Sequence, residues 1–234
     1  MKLAIMQPYF FPYLGYFQLI HAVDTFVVYD DAMFIKQGWI NRNFLLMDCR
    51  PQRFTISLSH VSSFQLICNT KISGGHWRVK FLKSLRQAYS KAPNIAQVYA
   101  LVESVVIQKY PSIAEVALES LNAVMDYLGL TTVVRTTSRI YDNASLKGQD
   151  RILDICKQEQ ADVYINLPGG RALYDQEVFA GHGMDLRFLQ PNEVRYPQFC
   201  CEFVPNLSIL DVLMFNDRRK VREMLQAYSL DYCP

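Results

Sequence analysis

The sequence has no uninterrupted apolar run of about 18 residues, the length a spanning helix needs, so a membrane-crossing helix is excluded on length. No basic segment leads into an apolar run and a small-residue cleavage site at its start, and a cytoplasmic location is therefore expected. The six cysteines, Cys49, Cys68, Cys156, Cys200, Cys201 and Cys233, contain no CxxC spacing, and the four histidines do not cluster with them. That spacing argues against a structural zinc site, and no metal site is expected. In a reducing compartment such thiols are expected to serve as small buried hydrophobes. Neither GxGxxG nor GxxxxGK[ST] is present, and no HExxH, DxD or Ser-His-Asp order can be read. An excess of one charge is missing too. With 24 Lys and Arg against 22 Asp and Glu, the formal charge of +2 is too even for a dedicated polyanion binder, and nucleic acid is not an expected partner. Internal repeats, low-complexity tracts and linkers are likewise lacking.

What is present is the composition of a folded chain: 234 residues, 50% hydrophobic and 20% charged, enough for one domain over 1–234 with a large core. Leu3 to Met6 read as a short buried strand ended by Gln7-Pro8, since proline cannot donate to a central ladder. A helical run from Tyr16 to Val23 and a β-branched, aromatic strand from Thr25 to Tyr29 follow. Such a unit makes two parallel strands with a right-handed crossover. Arg53 to Ser59 alternates with period two and is expected as the next strand. A mainly helical segment near 76–129 contains an amphipathic helix from His76 to Tyr89 and two more helices divided at Tyr110-Pro111-Ser112, with Gly129 as a cap. Thr131 to Thr137 is a strand, Asp150 to Gln160 a helix, Asp162 to Asn166 a strand, and Asp185 to Leu189 an edge strand; the tail from Ser208 is helical. Strands alternating with helices predict an α/β fold with a mostly parallel, Rossmann-like sheet, helices on both faces and a helical insertion mid-chain.

In such sheets ligands bind beyond the carboxyl ends of the strands, which singles out three segments. After the first strand, Gln7 to Tyr16 holds Tyr9, Phe10, Phe11, Tyr13 and Tyr16, too many large aromatics for a tight turn to hide, and as a group they predict a wall that stacks a base or sugar. Gly15, before the helix, would let backbone amides approach an anion. After the second strand, Asp30 and Asp31 stand side by side with their side chains on opposite faces, so at most one is expected to face a pocket. Downstream, Lys36, Trp39, Asn41 and Arg42 combine cationic, aromatic and amide groups suited to an anionic or sugar-bearing ligand. After a late strand, Gly169, Gly170, Arg171 and Tyr174 form either an anion-binding turn or an ordinary strand-to-helix turn. His76 is a candidate acid or base because its unperturbed pKa lies near neutrality. Asp31, His76 and Lys36 are the expected catalytic groups; Gln7, Tyr9, Tyr13, Gly15, Tyr16, Asp30, Trp39, Asn41, Arg42, Gly169, Gly170, Arg171 and Tyr174 are expected to bind substrate.

The segments MQPYFFPYLGYFQLI, DTFVVYDDAMFIKQGWINRN, YSKAP, VYINLPGGRALYDQEVFAGHGMDLRF and SILDVLMFN, in that order over nearly the whole chain, resemble the WbqC-like protein family. The resemblance implies a role in bacterial O-antigen or other surface-polysaccharide synthesis and transfer of an aminoacyl group, glycine, to an amino sugar. It implies a small-molecule substrate such as a sugar nucleotide, with ATP or a preformed activated acyl donor as co-reactant, and leaves the oligomeric state open. The opening strand, Pro- and Gly-containing loop and helix also look like the start of nucleotidyltransferase-type ligases that pass through an acyl-adenylate. Their HxGH element is replaced here by Pro12-Tyr13-Leu14-Gly15-Tyr16. A third reading is a non-catalytic protein that holds a nucleotide-sugar or a partner enzyme.

Overall fold

The computed structural model describes residues 1–62, 64–74 and 76–232. Apolar β1 (Lys2–Met6) lies between β2 (Thr25–Val28) and β6 (Val163–Asn166), parallel to both. Helix α1 (Leu14–Ala22) makes the first crossover. β5 (Val133–Arg135) adds parallel to β2, β7 (Asp185–Pro191) parallel to β6, and β8 (Tyr228–Tyr232) antiparallel to β7, giving the order β5-β2-β1-β6-β7-β8. The five parallel strands thus run outward from β1 in both directions, as in a dinucleotide-binding sheet, and the order reverses between β1 and β6. The Rossmann-like α/β class read from the sequence is the class observed.

Alternation along the strands separates two apolar layers. Leu3, Ile5 and Val27 face α5 (Gly148–Gln158) and α6 (Gln176–Gly181), where Ile152, Ile155, Cys156 and Phe179 are buried. Ala4, Phe26 and Val28 face α1 and the C-terminal helices α7 (Ile209–Phe215) and α8 (Arg218–Met224). This second layer runs without a break into the insertion between β2 and β5: a hairpin of β3 (Arg42–Met47) and β4 (Arg50–Thr55), then α2 (Trp77–Tyr89), α3 (Ile95–Val106) and α4 (Ile113–Leu128). Trp77, Phe81, Leu85 and Tyr89 recur at helical spacing and are buried, and Phe81 meets Phe54 of β4 at 4.7 Å. Ser112 caps α4, and Gly129 ends it in the left-handed conformation at φ 65°, which glycine adopts without Cβ strain.

Four sequence expectations change. The strand expected over Arg53 to Ser59 starts earlier, at Arg50, and does not join the main sheet; it pairs antiparallel with β3, a strand that the polar Asn41-Arg42-Asn43 cluster disguised. β7 is not an edge, because the tail does not stay helical: it returns as β8 and covers that side. The cysteines are not uniformly buried thiols. Cys49 and Cys200 form a disulfide, with Cα atoms 5.5 Å apart across a separation of 151 residues, because the β3–β4 turn meets the loop 192–207. Of the other described cysteines only Cys156 is buried, while Cys68 is half-buried and Cys201 exposed. Cys233 lies outside the described residues.

Candidate functional site

The loop after β1 divides its aromatics between two jobs. Phe10 and Phe11 of the loop, and Tyr16 and Phe17 just inside α1, are buried: Phe10 packs on Phe54, Trp77 and Phe81 of the insertion and Tyr16 on Phe26 of β2. Phe11 takes φ 42°, a conformation uncommon for a bulky residue, and its backbone is held on all sides. Its N–H donates to Ser120 Oγ at 3.0 Å, and its carbonyl accepts from Asn43 Nδ2 at 2.8 Å and Ser208 Oγ at 2.7 Å. Phe10 N donates to the Ile40 carbonyl at 3.0 Å, so the loop is stitched to the insertion. The Tyr16 hydroxyl donates to the Gln7 carbonyl at 2.7 Å and fixes the loop's first turn; Gln7 itself is half-buried.

Tyr9 and Tyr13, by contrast, line a groove of about 450 Å³ with Trp39, Asn43, Phe44 and the loop residues Pro205 to Leu207. Burial raises the pKa of both phenols, so they face a ligand as neutral hydroxyls. Trp39 is 51% exposed and leans on Phe44 with ring centroids 5.7 Å apart. Tyr13 also borders an adjoining cavity of about 280 Å³ at the start of α1, with Gly15, Gln18 and Pro191. The role of Gly15 is close approach: an added Cβ would lie 2.7 Å from the Tyr13 ring and 3.1 Å from Pro191.

Arg42 enters β3 beside this groove, on the hairpin face that carries Phe44, since residues two apart share a face. Its guanidinium donates to the Lys36 carbonyl, its buried Nε has no partner, and it is absent from every ion pair among the described residues. Lys36 is exposed. Asn41 turns inward instead: Nδ2 donates to the Ile56 carbonyl at 2.9 Å, which ties the insertion together, and Oδ1 is buried without a partner.

The acidic pair sits elsewhere, at the ends of β2 and β5. Asp30 accepts from Thr137 Oγ1 at 2.7 Å and Ser138 N at 3.1 Å, and Arg139 stands 3.6 Å away. Asp31 accepts from Ser138 Oγ and from Arg151 Nη2, each at 2.5 Å. Arg151, 4% exposed on α5, also donates to Asn143 Oδ1 at 2.9 Å and Tyr29 OH at 3.2 Å and stacks on the Tyr29 ring. Both carboxylates are buried, and each is engaged by groups that the sequence reading had not selected.

The glycine pair forms a third cluster. Gly170 lies under Asn166, where a Cβ would approach Nδ2 to 2.9 Å, and Asn166 Nδ2 donates to both Tyr164 OH and Tyr174 OH at 3.1 Å. Arg171 pairs with Asp231 at 3.1 Å and stacks on Phe188; Gly169 is exposed. His76 is exposed at the start of α2 and lines neither the groove nor the adjoining cavity. Of the expected residues, then, Tyr9, Tyr13 and Trp39 line one groove, Gly15 lines the adjoining cavity, and Arg42 shares the hairpin face of the groove residue Phe44 and reaches back to the Lys36 carbonyl. Asp30 and Asp31, the Gly169 to Tyr174 turn and His76 occupy other places.

A profile of the WbqC-like protein family matches residues 7–223. The chain belongs to that family. This WbqC-like protein is 31% identical over 218 residues to "Uncharacterized protein Rv1507c" of Mycobacterium tuberculosis (strain ATCC 25618 / H37Rv), an alignment that covers 92% of this chain and 93% of that one. No solved structure matches it.

The far wall of the WbqC-like groove comes from the loop 192–207, which carries little regular structure and no sequence signal of a site. It is held by Asp211, a buried carboxylate that accepts from Tyr89 OH at 2.8 Å and from Tyr196 OH and Gln198 Nε2 at 2.7 Å each. Burial raises the Asp211 pKa, and these three hydrogen bonds oppose the rise. The disulfide pins the same loop to the hairpin.

Proposed function

We propose that this protein binds a nucleotide-activated amino sugar in the groove between the β1–α1 loop and the hairpin and transfers an aminoacyl group, glycine, to its amine during synthesis of a bacterial surface polysaccharide. The observation that carries the reading is the convergence of Tyr9, Tyr13 and Trp39 on one groove, with Arg42 unpaired by any described carboxylate beside it. Aromatic faces stack a base or sugar, and a guanidinium fork suits a diphosphate. Lys36 adds a second cation, and Asn43 Nδ2, already bound to the Phe11 carbonyl, keeps the wall rigid.

In the transfer, the sugar amine attacks the acyl carbonyl and a tetrahedral oxyanion forms; as it collapses to the amide the bond to the activating group breaks, and the amine's proton passes to the departing group or to water. The acyl donor is either a preformed activated amino acid or an adenylate made from ATP. Within this reading Asp31 braces Arg151 rather than taking the amine proton, because both of its oxygens are already engaged.

A second reading, a binding protein that presents the nucleotide-sugar to a partner enzyme, is favoured by one feature: no carboxylate or imidazole lines the groove among the described residues. Calorimetry with nucleotide-activated amino sugars, followed by turnover assays with glycine and ATP or with glycyl donors, separates the two. Binding with turnover supports transfer, binding alone supports presentation, and no binding to any nucleotide-sugar overturns both. Trp39→Ala should weaken binding by roughly 1–3 kcal/mol, the usual worth of a stacking ring. Unchanged affinity in that variant would place the ligand elsewhere.

A further inference from the structure

The near-balance of charge over the chain conceals a segregation. Residues 32–102, which build the hairpin, α2 and most of α3, carry ten lysines and arginines and a single carboxylate, Asp48. The rest of the chain carries fourteen cations and twenty-one carboxylates. The molecule is therefore electrically polar, and its positive part is the insertion that supplies Trp39.

The same insertion leaves large apolar side chains in solvent. Met33 pairs with Leu66 in an isolated antiparallel bridge, and Phe34 N donates to the Gln65 carbonyl at 2.7 Å. Burial alternates along this edge: Phe34 is 2% exposed, whereas Met33 and Ile35 on either side of it are 54% and 55% exposed. Phe64, at the outer end of the facing segment, is 89% exposed. Gly38 N turns back onto the Ile35 carbonyl at 2.9 Å and brings half-exposed Trp39 next to this edge. Cations are interleaved with it. Lys36 follows Ile35, the Arg42 guanidinium rests on the Lys36 carbonyl, and Arg53 stands opposite Phe44 on the same hairpin face as Arg42.

Exposed Met, Ile, Phe and Trp among lysines and arginines are the chemistry of a surface that lies in the headgroup region of an anionic bilayer, apolar tips in the acyl boundary and cations on lipid phosphates. A nucleic acid would reward the cations but not Met33, Ile35 and Phe64. We propose that this basic and apolar face of the insertion docks on an anionic lipid bilayer, with the groove opening beside the membrane because Trp39 belongs to both. No helix among the described residues is long and apolar enough to cross a membrane, and a peripheral contact needs none. The proposal stands whichever ligand the groove takes.

The test is sedimentation of the full chain with vesicles of phosphatidylglycerol and phosphatidylethanolamine, and with phosphatidylcholine alone, at about 0.1 M and about 0.5 M salt, where screening differs strongly. Binding is expected to the anionic vesicles only, to fall at the higher salt, and to shift the fluorescence of Trp39 to shorter wavelength. Replacing Lys36→Ser and Arg53→Ser should weaken it about five-fold each. Ile35→Ser with Phe64→Ser, in side chains that pack little against the core, should weaken it at least ten-fold with the melting temperature unchanged. Equal binding to phosphatidylcholine, no binding to any vesicle, or indifference to both sets of substitutions would overturn the proposal. So would tighter binding to a short nucleic-acid duplex that the apolar substitutions leave intact.

Discussion

Replacing Arg151 with methionine tests whether Asp31 is part of the scaffold or of the chemistry. Arg151 is 4% exposed and Asp31 is 9% exposed, so neither can exchange its partner for bulk water. Arg151→Met keeps much of the apolar stem but strips Asp31 Oδ2 of its cation, Asn143 Oδ1 of a donor and the Tyr29 ring of its stacked group. Breaking a buried pair from one side costs roughly 3–5 kcal/mol, because an uncompensated charge remains. For a chain of this length that is a fall in melting temperature of about 6–20 °C, readable by calorimetry or by the urea midpoint at unchanged slope. Removing both charges together, as Asp31→Leu with Arg151→Met, should recover a large part of the loss, since an apolar pair of similar volume is often no less stable than a buried ion pair. A loss below about 1 kcal/mol in the single variant, or a double variant no better than the single, would refute the reasoning. Asp31→Asn with turnover abolished at undiminished stability would instead make Asp31 the proton acceptor of the reaction.

Two further outcomes follow from the loop that walls the groove. Burial raises the native pKa of Asp211 above its unfolded value of about 3.9. The native state therefore holds this proton more tightly, and its stability should decline as pH rises from about 4 through the raised native value. Asp211→Asn should flatten that part of a urea-midpoint profile, and an unaltered slope would show that another group titrates there. Reduction of the Cys49–Cys200 bond releases a chain closure of 151 residues and should lower stability by roughly 2–4 kcal/mol. Thermal melts with and without dithiothreitol, compared with Cys49→Ser carrying Cys200→Ser, read this directly; equal melts for the parent protein in both conditions would count against the bond.

The parts of the fold that were legible in the sequence are those set by local pattern. The apolar β1, the β-branched β2, the four-residue spacing of Trp77, Phe81, Leu85 and Tyr89, the break at Tyr110-Pro111-Ser112 and the cap at Gly129 all speak within a few residues of themselves. Tyr9 and Tyr13 could be singled out as ligand groups for a similar reason, as large aromatics in the loop after β1, and Trp39 because it stands among the polar and cationic residues Lys36, Asn41 and Arg42. What escaped was set by distance. Arg151 lies 120 residues from Asp31, and nothing near either one marks the pair except a cation on the otherwise apolar stripe of α5. The disulfide spans 151 residues, and β8 acquires its meaning only when β7 is beside it. β3 was hidden by its own opening residues, where Asn43 spends its side chain on the Phe11 carbonyl and Arg42 reaches back to Lys36. In the aromatic loop, composition alone could not say which rings are buried and which line the groove; the left-handed turn at Phe11 helps make that division.

The two walls of the groove have different structural obligations. Tyr9 and Tyr13 are carried by the central crossover of the sheet, where changes propagate into β1 and α1. Trp39, Asn43 and Phe44 belong to the inserted segment, whose strands β3 and β4 form a two-stranded sheet separate from the parallel one. Substitutions on the hairpin can therefore alter which ligand is accepted while the parallel strands keep their register. In a protein of this architecture, changes of specificity should accumulate on one side of the cleft, and chimaeras that exchange residues 36–55 should transfer preference between relatives without rebuilding the sheet.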